Sequence, residues 1–259
     1  MTKECNSWLI GLIKGDGYTN DRRIEIYNSS ESILKTSVEV LRKLISDSRI
    51  KVDIYSELPK DGMKIKWSKI LNLPLKNFIL RTNTSPWKAR TEKIRLRVSS
   101  KEVVQKLSEE CLQKEAYLRG LFDAEASVDI KGYIEFKQLA DEKGKAIVSD
   151  VYKKLQSIDI ETTTVKIKND RNIKKDAYLY VKDLKKYQKL IGFVDEIKTS
   201  KLSIIIEAKR INNDPKVEIV QKMISDNKNL WNLVEELKSP YHKIRKALKD
   251  NHLAIRQTR

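Results

Sequence analysis

The sequence has little of what several large classes of protein depend on. Its 259 residues include only two cysteines, which make neither a disulfide framework nor a zinc-ligand pattern. It contains no run of about 18 apolar residues, so we predict no transmembrane helix. The N-terminal residues lack the apolar region of a secretory signal. This favours an intracellular protein, placed in the cytoplasm or nucleoid, or in an organelle matrix in a eukaryote.

Acidic residues are scarce relative to basic ones. The chain has 53 Lys and Arg against 36 Asp and Glu, a formal net charge of +17. Such an excess is typical of proteins that bind a polyanion, either nucleic acid or an anionic membrane surface. A solvated, lysine-rich surface, as in some heat-adapted proteins, is the alternative. The placement of the charges along the chain has to decide between these interpretations.

Two similar nine-residue stretches, Leu9–Gly17 and Leu118–Ala126, dominate the pattern. Each is predicted to be a short apolar helix with two small residues four positions apart and an acid directly after the second. The small residues are Gly11 and Gly15 in one stretch and Gly120 and Ala124 in the other, and the acids are Asp16 and Glu125. Small residues at this spacing let two helices approach until their backbones touch, which would bring the acids side by side. Adjacent carboxylates repel unless a cation lies between them, and oxygen ligands of this kind suit Mg²⁺.

The surroundings of the two stretches are repeated as well. Leu9 and Leu118 are 109 positions apart, and the triplets that begin at Ile24 and Ile134 follow at an offset of 110. Each stretch is therefore predicted to open a unit of the order αββαββα, over residues 1–113 and 114–214. Two such copies imply a pseudo-symmetric α+β molecule with the motif helices on its axis.

Three segments need separate predictions. Asn6 or Ser7 is expected to cap the first helix. Residues 57–92, with an Asp61-Gly62 turn signal, are predicted to be an irregular but ordered insertion in the first half. Residues 215–259 are predicted to form a helical extension of three short amphipathic helices. Its last two helices, joined at Ser239-Pro240, resemble a helix-turn-helix, although a helical cap on the core is the alternative.

Alternation along the predicted strands gives each sheet one buried and one outward face. The outward residues, Asp53 among them, are rich in Arg, Lys and Tyr, which favours nucleic acid as the partner, and we predict no membrane partner. The predicted contact residues are Arg23, Glu25, Tyr27, Lys93, Arg95 and Arg97 in the first copy, Lys137, Lys166, Lys168, Tyr178, Tyr180 and Lys182 in the second, and Lys243, Arg245 and Lys246 in the last helix.

With these two motifs and their repeated context, the chain resembles the LAGLIDADG homing endonucleases in their monomeric, two-motif form. The resemblance is carried by Leu9–Gly17 and Leu118–Ala126 and covers about residues 6–211. It implies that the motif helices form the interface of two half-domains, whose saddle-shaped antiparallel sheets lie in the major groove of double-stranded DNA. It also implies a monomer that hydrolyses both strands of a long target with Mg²⁺. Mn²⁺ is expected to substitute, and Ca²⁺ to bind without supporting cleavage.

The resemblance assigns roles to particular residues. It makes Asp16 and Glu125 metal ligands, with the main-chain carbonyls of Gly15 and Ala124 as candidate further ligands. Asn28 and Gln138, at the ends of second strands, are expected to support metal-bound water, and Lys198 to assist in the active site. Lys14 departs from the acid that the family often has at its position, which Asp123 keeps; because this position is not the metal ligand, activity is not excluded.

Two other functions stay open. The same scaffold serves RNA intron maturases, whose partner is intron RNA, and DNA-binding proteins that do not cleave. The presence of Asp16 and Glu125 argues against the second of these. Splicing stimulated without DNA cleavage would favour the first.

Overall fold

The computed structural model describes residues 3–56, 60–82, 92–110, 112–169 and 175–253. These residues form two compact units. One contains the chain up to Glu125 together with Phe193–Asp195, and the other contains Ala126–Gly192 together with the residues from Glu196 onward. Each unit is organised around one sheet, which confirms the predicted α+β class. In the parts of the chain so described, no helix combines the length and the apolarity needed to cross a bilayer.

The first unit begins and ends with the motif helices. Its elements are α1 (Lys3–Asp16), β1 (Gly17–Thr19), β2 (Arg23–Asn28), α2 (Glu31–Arg42), β3 (Ile50–Ser56), α3 (Asp61–Leu71), β4 (Phe78–Thr82), β5 (Lys93–Ser99), α4 (Lys101–Ser108) and α5 (Lys114–Glu125). The strand order is β1-β2-β5-β3-β4, antiparallel except for the parallel pair β3 and β4. Apolar residues of α1 and α2 and of the inner sheet face share one core. This core fixes the position of both motif helices.

The segment predicted as an irregular insertion contains regular structure. Asp61 and Gly62, expected to form a turn, instead begin α3, where an acid in the first turn suits the helix dipole. Trp67 and Leu71 of this helix are buried, so they form its inner side. Strand β4 then pairs in parallel with β3. Parallel pairing needs a crossover, so local alternation could not predict it. The rest of the predicted insertion, residues 57–59 and 83–91, lies outside the described residues.

Helix α1 begins at Lys3, so the expected N-cap at Asn6 or Ser7 is wrong. Both residues are buried inside the helix. The Ser7 hydroxyl donates to the carbonyl of Lys3 (2.9 Å) and accepts from the main-chain N–H of Gln113 (2.8 Å). The Asn6 amide donates to Glu110 Oε2 (2.7 Å). Asn and Ser are typical helix N-caps, but here their side chains bond to residues that are distant in the sequence.

The second unit contains the predicted order from its first strand onward and adds an extension, while the motif helix α5 that was predicted to open this copy belongs to the first unit. Its elements are β6 (Ala126–Asp129), β7 (Tyr133–Leu139), α6 (Glu142–Gln156), β8 (Lys166–Asn169), β9 (Lys175–Val181), α7 (Leu184–Leu190), α8 (Glu196–Ile211), α9 (Val217–Ser225), α10 (Leu230–Leu237) and α11 (Tyr241–Asp250). The strand order is β6-β7-β9-β8, with every pair antiparallel. The three helices predicted for the extension are confirmed as α9, α10 and α11.

Candidate metal centre and nucleic acid interface

The motif helices α1 and α5 pack against each other through their glycines. A Cβ atom placed on Gly11 would lie 2.1 Å from the carbonyl oxygen of Tyr117, and one on Gly120 would lie 2.0 Å from that of Trp8. Distances this short mean that the two backbones are in direct contact. The predicted backbone-to-backbone approach is therefore confirmed, and only residues without a side chain fit at its centre.

The last residues of these helices, Asp16 and Glu125, are the predicted metal ligands. A Cβ atom on Gly15 would lie 2.5 Å from Cβ of Ala124, 3.0 Å from Cγ of Glu125 and 3.7 Å from its Oε1. The Glu125 carboxylate thus lies beside the end of α1, the helix whose final residue is Asp16. Both carboxylates are half-buried. The helix pair brings one acid from each motif to the same end.

Asn28, at the end of β2, contacts this cluster directly. Its Nδ2 donates to Asp16 Oδ2 at 3.3 Å, while its Oδ1 accepts from the main-chain N–H of Ser30 at 2.8 Å. The bond to Ser30 fixes which end of the amide faces Asp16. Asn28 therefore holds the Asp16 carboxylate in one orientation.

The residues at this helix end fit a hard divalent cation. Asp16 and Glu125 supply carboxylate oxygens, which Mg²⁺, Mn²⁺ and Ca²⁺ accept. Within the described ranges there is no cluster of three or more His, Cys, Asp or Glu able to hold a metal. A site with two acids needs water, main-chain carbonyls or phosphate oxygens to complete the coordination, and Mg²⁺ is commonly bound in this way.

Gln138 occupies the corresponding strand end in the second unit. It lies on the same side of β7 as the buried Ile134 and Phe136. Its Nε2 is buried and has no hydrogen-bond partner among the described residues. An orphaned buried amide costs about 1–3 kcal/mol, so such a group calls for a ligand or water acceptor. Lys198 lies half-buried in the first turn of α8, and its role stays a prediction.

Asp123 has a role that the sequence did not reveal. This carboxylate is 1% exposed. It accepts from Trp8 Nε1 (2.8 Å), from the main-chain N–H of Val194 (3.0 and 3.2 Å) and from that of Asp195 (3.1 Å). It thereby ties α5 both to α1 and to the segment after α7. Its position inside an apolar helix was the available signal, because buried carboxylates persist only with several donors.

Removal of this carboxylate should destabilise the protein strongly. We expect Asp123→Ala to lower the free energy of unfolding by about 3–5 kcal/mol, because the N–H donors of Trp8, Val194 and Asp195 lose their acceptor. Glu115→Ala, in the first turn of the same helix, should change it by less than about 0.5 kcal/mol. Urea unfolding followed by circular dichroism measures both. Equal effects of the two substitutions would contradict the assigned role of Asp123.

The outward face of the first sheet is built around two buried acids. Glu25 and Asp53 were predicted to lie exposed on this face, but they are only 4% and 0% exposed. Asp53 accepts from Arg95 (2.7 and 2.9 Å) and from Arg81 (3.1 Å). Glu25 accepts from Arg23 (3.2 Å) and from the hydroxyl of Tyr27. The side chains that bond to the two acids also cover them, so the carboxylate oxygens are not free to contact a ligand.

Arg95 is the centre of this network. It bridges Asp53 and Glu25, and its guanidinium lies 5.9 and 5.5 Å from the rings of Tyr27 and Tyr55. Burial alone would lower its pKa, but hydrogen bonds to Tyr27 and Asp53 and the charge of Asp53 raise it above its ordinary value. Burial likewise opposes ionisation of Glu25, yet bonds from Tyr27 and Arg23 hold the pKa of its carboxyl below its usual value. The face therefore presents arginines that are already oriented and permanently charged.

Arg81 belongs to the same network, although sequence reasoning missed it. It lies on β4, the strand that local alternation did not predict. Of the other predicted residues on this face, Lys93 is exposed and Arg97 is half-buried, with Nη2 3.9 Å from Asp53. The first sheet therefore brings five of the six predicted contact residues, together with Arg81, to one face; the sixth, Glu25, supports them.

The outward face of the second sheet has a different chemistry. Lys137 and Lys166 are exposed on it. Three tyrosines contact one another in tilted pairs beside them, with ring centroids 4.3 Å apart for Tyr133 and Tyr180 and 5.2 Å apart for Tyr178 and Tyr180. Burial and the neighbouring charge of Asp129 raise the pKa of Tyr133, which keeps its hydroxyl protonated. This face offers aromatic surface and exposed ammonium groups where the first sheet offers guanidinium groups held by buried acids.

The remaining predicted contact residues lie in several environments. Lys182 follows β9 and pairs with Glu161 at 3.3 Å. The side chain of Lys168 lies outside the described part of the structure. On α11, Arg245 and Lys246 are exposed. Lys243 instead pairs with Asp214 at 2.8 Å, so it is engaged within the extension.

Comparisons with known proteins agree with this architecture. A family model described as the LAGLIDADG-like domain matches twice, over residues 4–111 and 112–192. A comparison with curated protein sequences gives no match.

Among solved structures, mesophilic variants of the homing endonuclease I-DmoI are 19% identical, with a TM-score of 0.47, over 73% of this chain and 96% of that one. I-DmoI in complex with DNA and Ca gives 19% identity and a TM-score of 0.45, over 72% and 86%. Full-length DUF199/WhiA from Thermatoga maritima gives 13% identity and a TM-score of 0.45, over 96% and 89%. Because the two matches of the family model cover well over half of the sequence, the chain belongs to the LAGLIDADG-like domain family.

Proposed function

We propose that this protein is a monomeric, divalent-metal-dependent endonuclease that cleaves both strands of a long, specific double-stranded DNA site. The observation that carries the proposal is the pair of carboxylates, Asp16 and Glu125, at one end of two helices in backbone contact. One acid from each motif suits two phosphodiester bonds, one in each strand. The net charge of +17 and the basic outward faces of both sheets support DNA as the substrate.

Different residues of the chain have different roles in the proposed reaction. Asp16 and Glu125 would hold the cation, and Asn28 orients the Asp16 carboxylate through its amide. When bound, the metal supplies activation of water and stabilisation of the charge that develops on the phosphate. Gln138, whose buried Nε2 has no hydrogen-bond partner within the described ranges, has a donor available for a water or phosphate oxygen. Mg²⁺ is the proposed ion, because two acids leave the remaining positions for water and phosphate.

Recognition is proposed to be asymmetric. On the first sheet, Arg95 and Arg81 are held by Asp53, so little conformational entropy is lost when they contact a base edge or phosphate. Oriented guanidinium groups suit the two acceptors of guanine in the major groove. On the second sheet, Lys137, Lys166 and the clustered tyrosines suit phosphates and apolar base surfaces. The two half-sites should therefore differ in sequence.

The test is selection of cleaved sites from a large plasmid library of candidate insertion sequences. The full-length protein is incubated with the library and Mg²⁺, with Ca²⁺ and EDTA as parallel controls, and the new double-strand ends are sequenced. We expect one long, non-palindromic sequence to be enriched at the ends with Mg²⁺ and with Mn²⁺, and no enrichment with Ca²⁺ or EDTA. A sequence that is bound but not cut with either metal would identify a non-cleaving DNA-binding protein. Binding of intron RNA in preference to every duplex would identify a maturase.

A further inference from the structure

The C-terminal extension, residues 217–250, lies beyond the family match, which ends at residue 192. Its three helices α9, α10 and α11 are built around a core of their own. The buried residues are Val220 and Met223 from α9, Leu233 and Val234 from α10, and Ile244 from α11, joined by Ala208 of α8. This small helical body requires an explanation that the endonuclease fold does not supply.

The extension is fixed to the second unit and is not a tethered tail. Ala208 and Ile204 of α8 and Ile130 after β6 pack against its core. Lys243 donates to the carbonyl of Asn212 (2.6 Å) and pairs with Asp214 (2.8 Å), which holds the connection between α8 and α9 in place.

A second link joins α8 to the sheet of this unit. Lys209 Nζ donates to the carbonyl of Gly132 in the turn between β6 and β7 (2.7 Å), and burial lowers its pKa. A ligand bound by the extension would therefore lie at a constant distance from the second sheet.

Helices α10 and α11 are connected as in a helix-turn-helix. The turn consists of Lys238, with a left-handed backbone (φ 48°), the buried Ser239, and Pro240, which precedes the first residue of α11. A turn of three or four residues between two short helices, with a third helix packed behind them, is the arrangement in which the second helix enters the major groove.

The exposed side of α11 carries one continuous row of basic residues. We call His242, Arg245, Lys246 and Lys249 the α11 basic stripe; their spacing of three and four places them on one helix face. All four are exposed, whereas Ile244 on the other face is fully buried. Among the described residues, Arg245, Lys246 and Lys249 form no ion pair. The exposed acids nearest in sequence are Asp250, Glu236 and Glu235. Glu236 pairs with Lys228 and Asp214 pairs with Lys243, while the charge of Lys246 also acts on Asp214. Unpaired cations in a row along a helix are the electrostatic footprint of a phosphate backbone.

We propose that the extension is an additional DNA-binding element, in which α11 enters the major groove of a duplex and its basic stripe contacts the phosphates and base edges there. This goes beyond the proposed function and does not depend on cleavage. Duplex DNA is favoured over duplex RNA because the major groove of B-form DNA admits a helix, whereas that of A-form RNA is too narrow. Since the extension is fixed to the second unit, its contacts should lengthen the protected DNA segment.

The test compares two charge-matched variants of the full-length protein. Arg245→Gln/Lys246→Gln/Lys249→Gln removes three charges from the stripe. Lys143→Gln/Lys145→Gln/Lys153→Gln removes three exposed charges from α6, which covers the buried face of the second sheet. The probe is a labelled random-sequence duplex of about 40 base pairs, long enough to exceed the span of a single helix in one groove. Anisotropy measures its dissociation constant in EDTA over a range of NaCl concentrations.

We expect the stripe variant to reduce the slope of log Kd against log salt by about 2–3, because each lost phosphate contact contributes about 0.9. The α6 variant should reduce it by less than about 1. Equal slopes for the two variants, or an unchanged slope for the stripe variant, would overturn the proposal. It would also be overturned if the stripe variant bound an RNA duplex of the same length less tightly than the unmodified protein does, while its affinity for the DNA duplex stayed unchanged. Circular dichroism spectra and melting curves of both variants verify that the substitutions leave the fold intact.

Discussion

Asp16→Asn and Glu125→Gln are each expected to slow DNA cleavage by about three orders of magnitude or more, while the dissociation constant for the target changes by less than about threefold. Each substitution removes a proposed metal ligand at the end of the helix pair with little change in the size of the side chain. A bound metal contributes several kcal/mol to stabilisation of the transition state, and each 1.4 kcal/mol corresponds to about tenfold in rate. Affinity comes mainly from the sheet faces, which these substitutions leave unchanged.

A supercoiled plasmid that carries the selected site separates the two cleavage events. Single-strand nicking gives the open circle and double-strand cleavage gives the linear form, so both rates follow from one gel. Asp21→Asn, at an exposed turn next to Arg22, removes the same charge away from the helix pair and is expected to cut at the wild-type rate. Cleavage by either ligand variant at the rate of the Asp21 control would refute the assignment of the metal centre.

A different ratio of nicked to linear product for the two variants would show that the halves are not equivalent, as the difference between Lys14 and Asp123 suggests.

Gly120→Ala should cause the largest loss of stability of any single methyl addition to the helix pair. Its Cβ would lie 2.0 Å from the carbonyl oxygen of Trp8 and 2.7 Å from the main-chain nitrogen of Leu12. Both atoms belong to the backbone of α1, which cannot rotate aside as a side chain would, so the helices must separate along their contact. We expect the free energy of unfolding to fall by about 3 kcal/mol or more, the upper range for overpacking.

Gly62→Ala is the matched control for this prediction. Gly62 also lies in a helix, α3, but nothing lies within 4 Å of the position where its Cβ would be. The same added methyl should leave stability unchanged or raise it by up to about 1 kcal/mol, because alanine is the better helix former. Urea unfolding followed by far-ultraviolet circular dichroism compares the two variants. If Gly120→Ala unfolds at the same urea concentration as Gly62→Ala, the two backbones are not in contact.

Much of the fold follows from local chemistry that the sequence displays. Ser100, Asp141 and Asp183 are residue types typical of helix N-caps, and each side chain accepts a main-chain N–H from the first turn of the helix that follows it. The alternating strands β2, β5 and β7 likewise place Ile24, Leu96 and Phe136 inward as predicted. Gly11 and Gly120 also identified the contact between the motif helices, because close approach of two helices requires small residues at this spacing. Capping, alternation and helical spacing are properties of a few neighbouring residues, so they can be read without the fold.

Other features depended on partners far away in the chain. Strand β4 forms because it pairs in parallel with β3 after the crossover through α3. This pairing brings Arg81 into the first sheet. Asp123 keeps the acid that the family often has at its position, but its role here comes from Trp8 and from residues 194 and 195, which are 115, 71 and 72 positions away.

The positions of Asp16 and Glu125 show how the two kinds of information combine. The sequence determined that each motif helix ends in an acid, and it determined that the helices contact through glycine. Only the tertiary structure decided that Asn28 orients Asp16, and that Glu25 and Asp53 are buried supports for arginines and not exposed readers. A charged residue on an outward strand face has the same local pattern whether it meets solvent or a guanidinium group. The difference arises from cross-strand neighbours, which the chain brings together only when the sheet has formed.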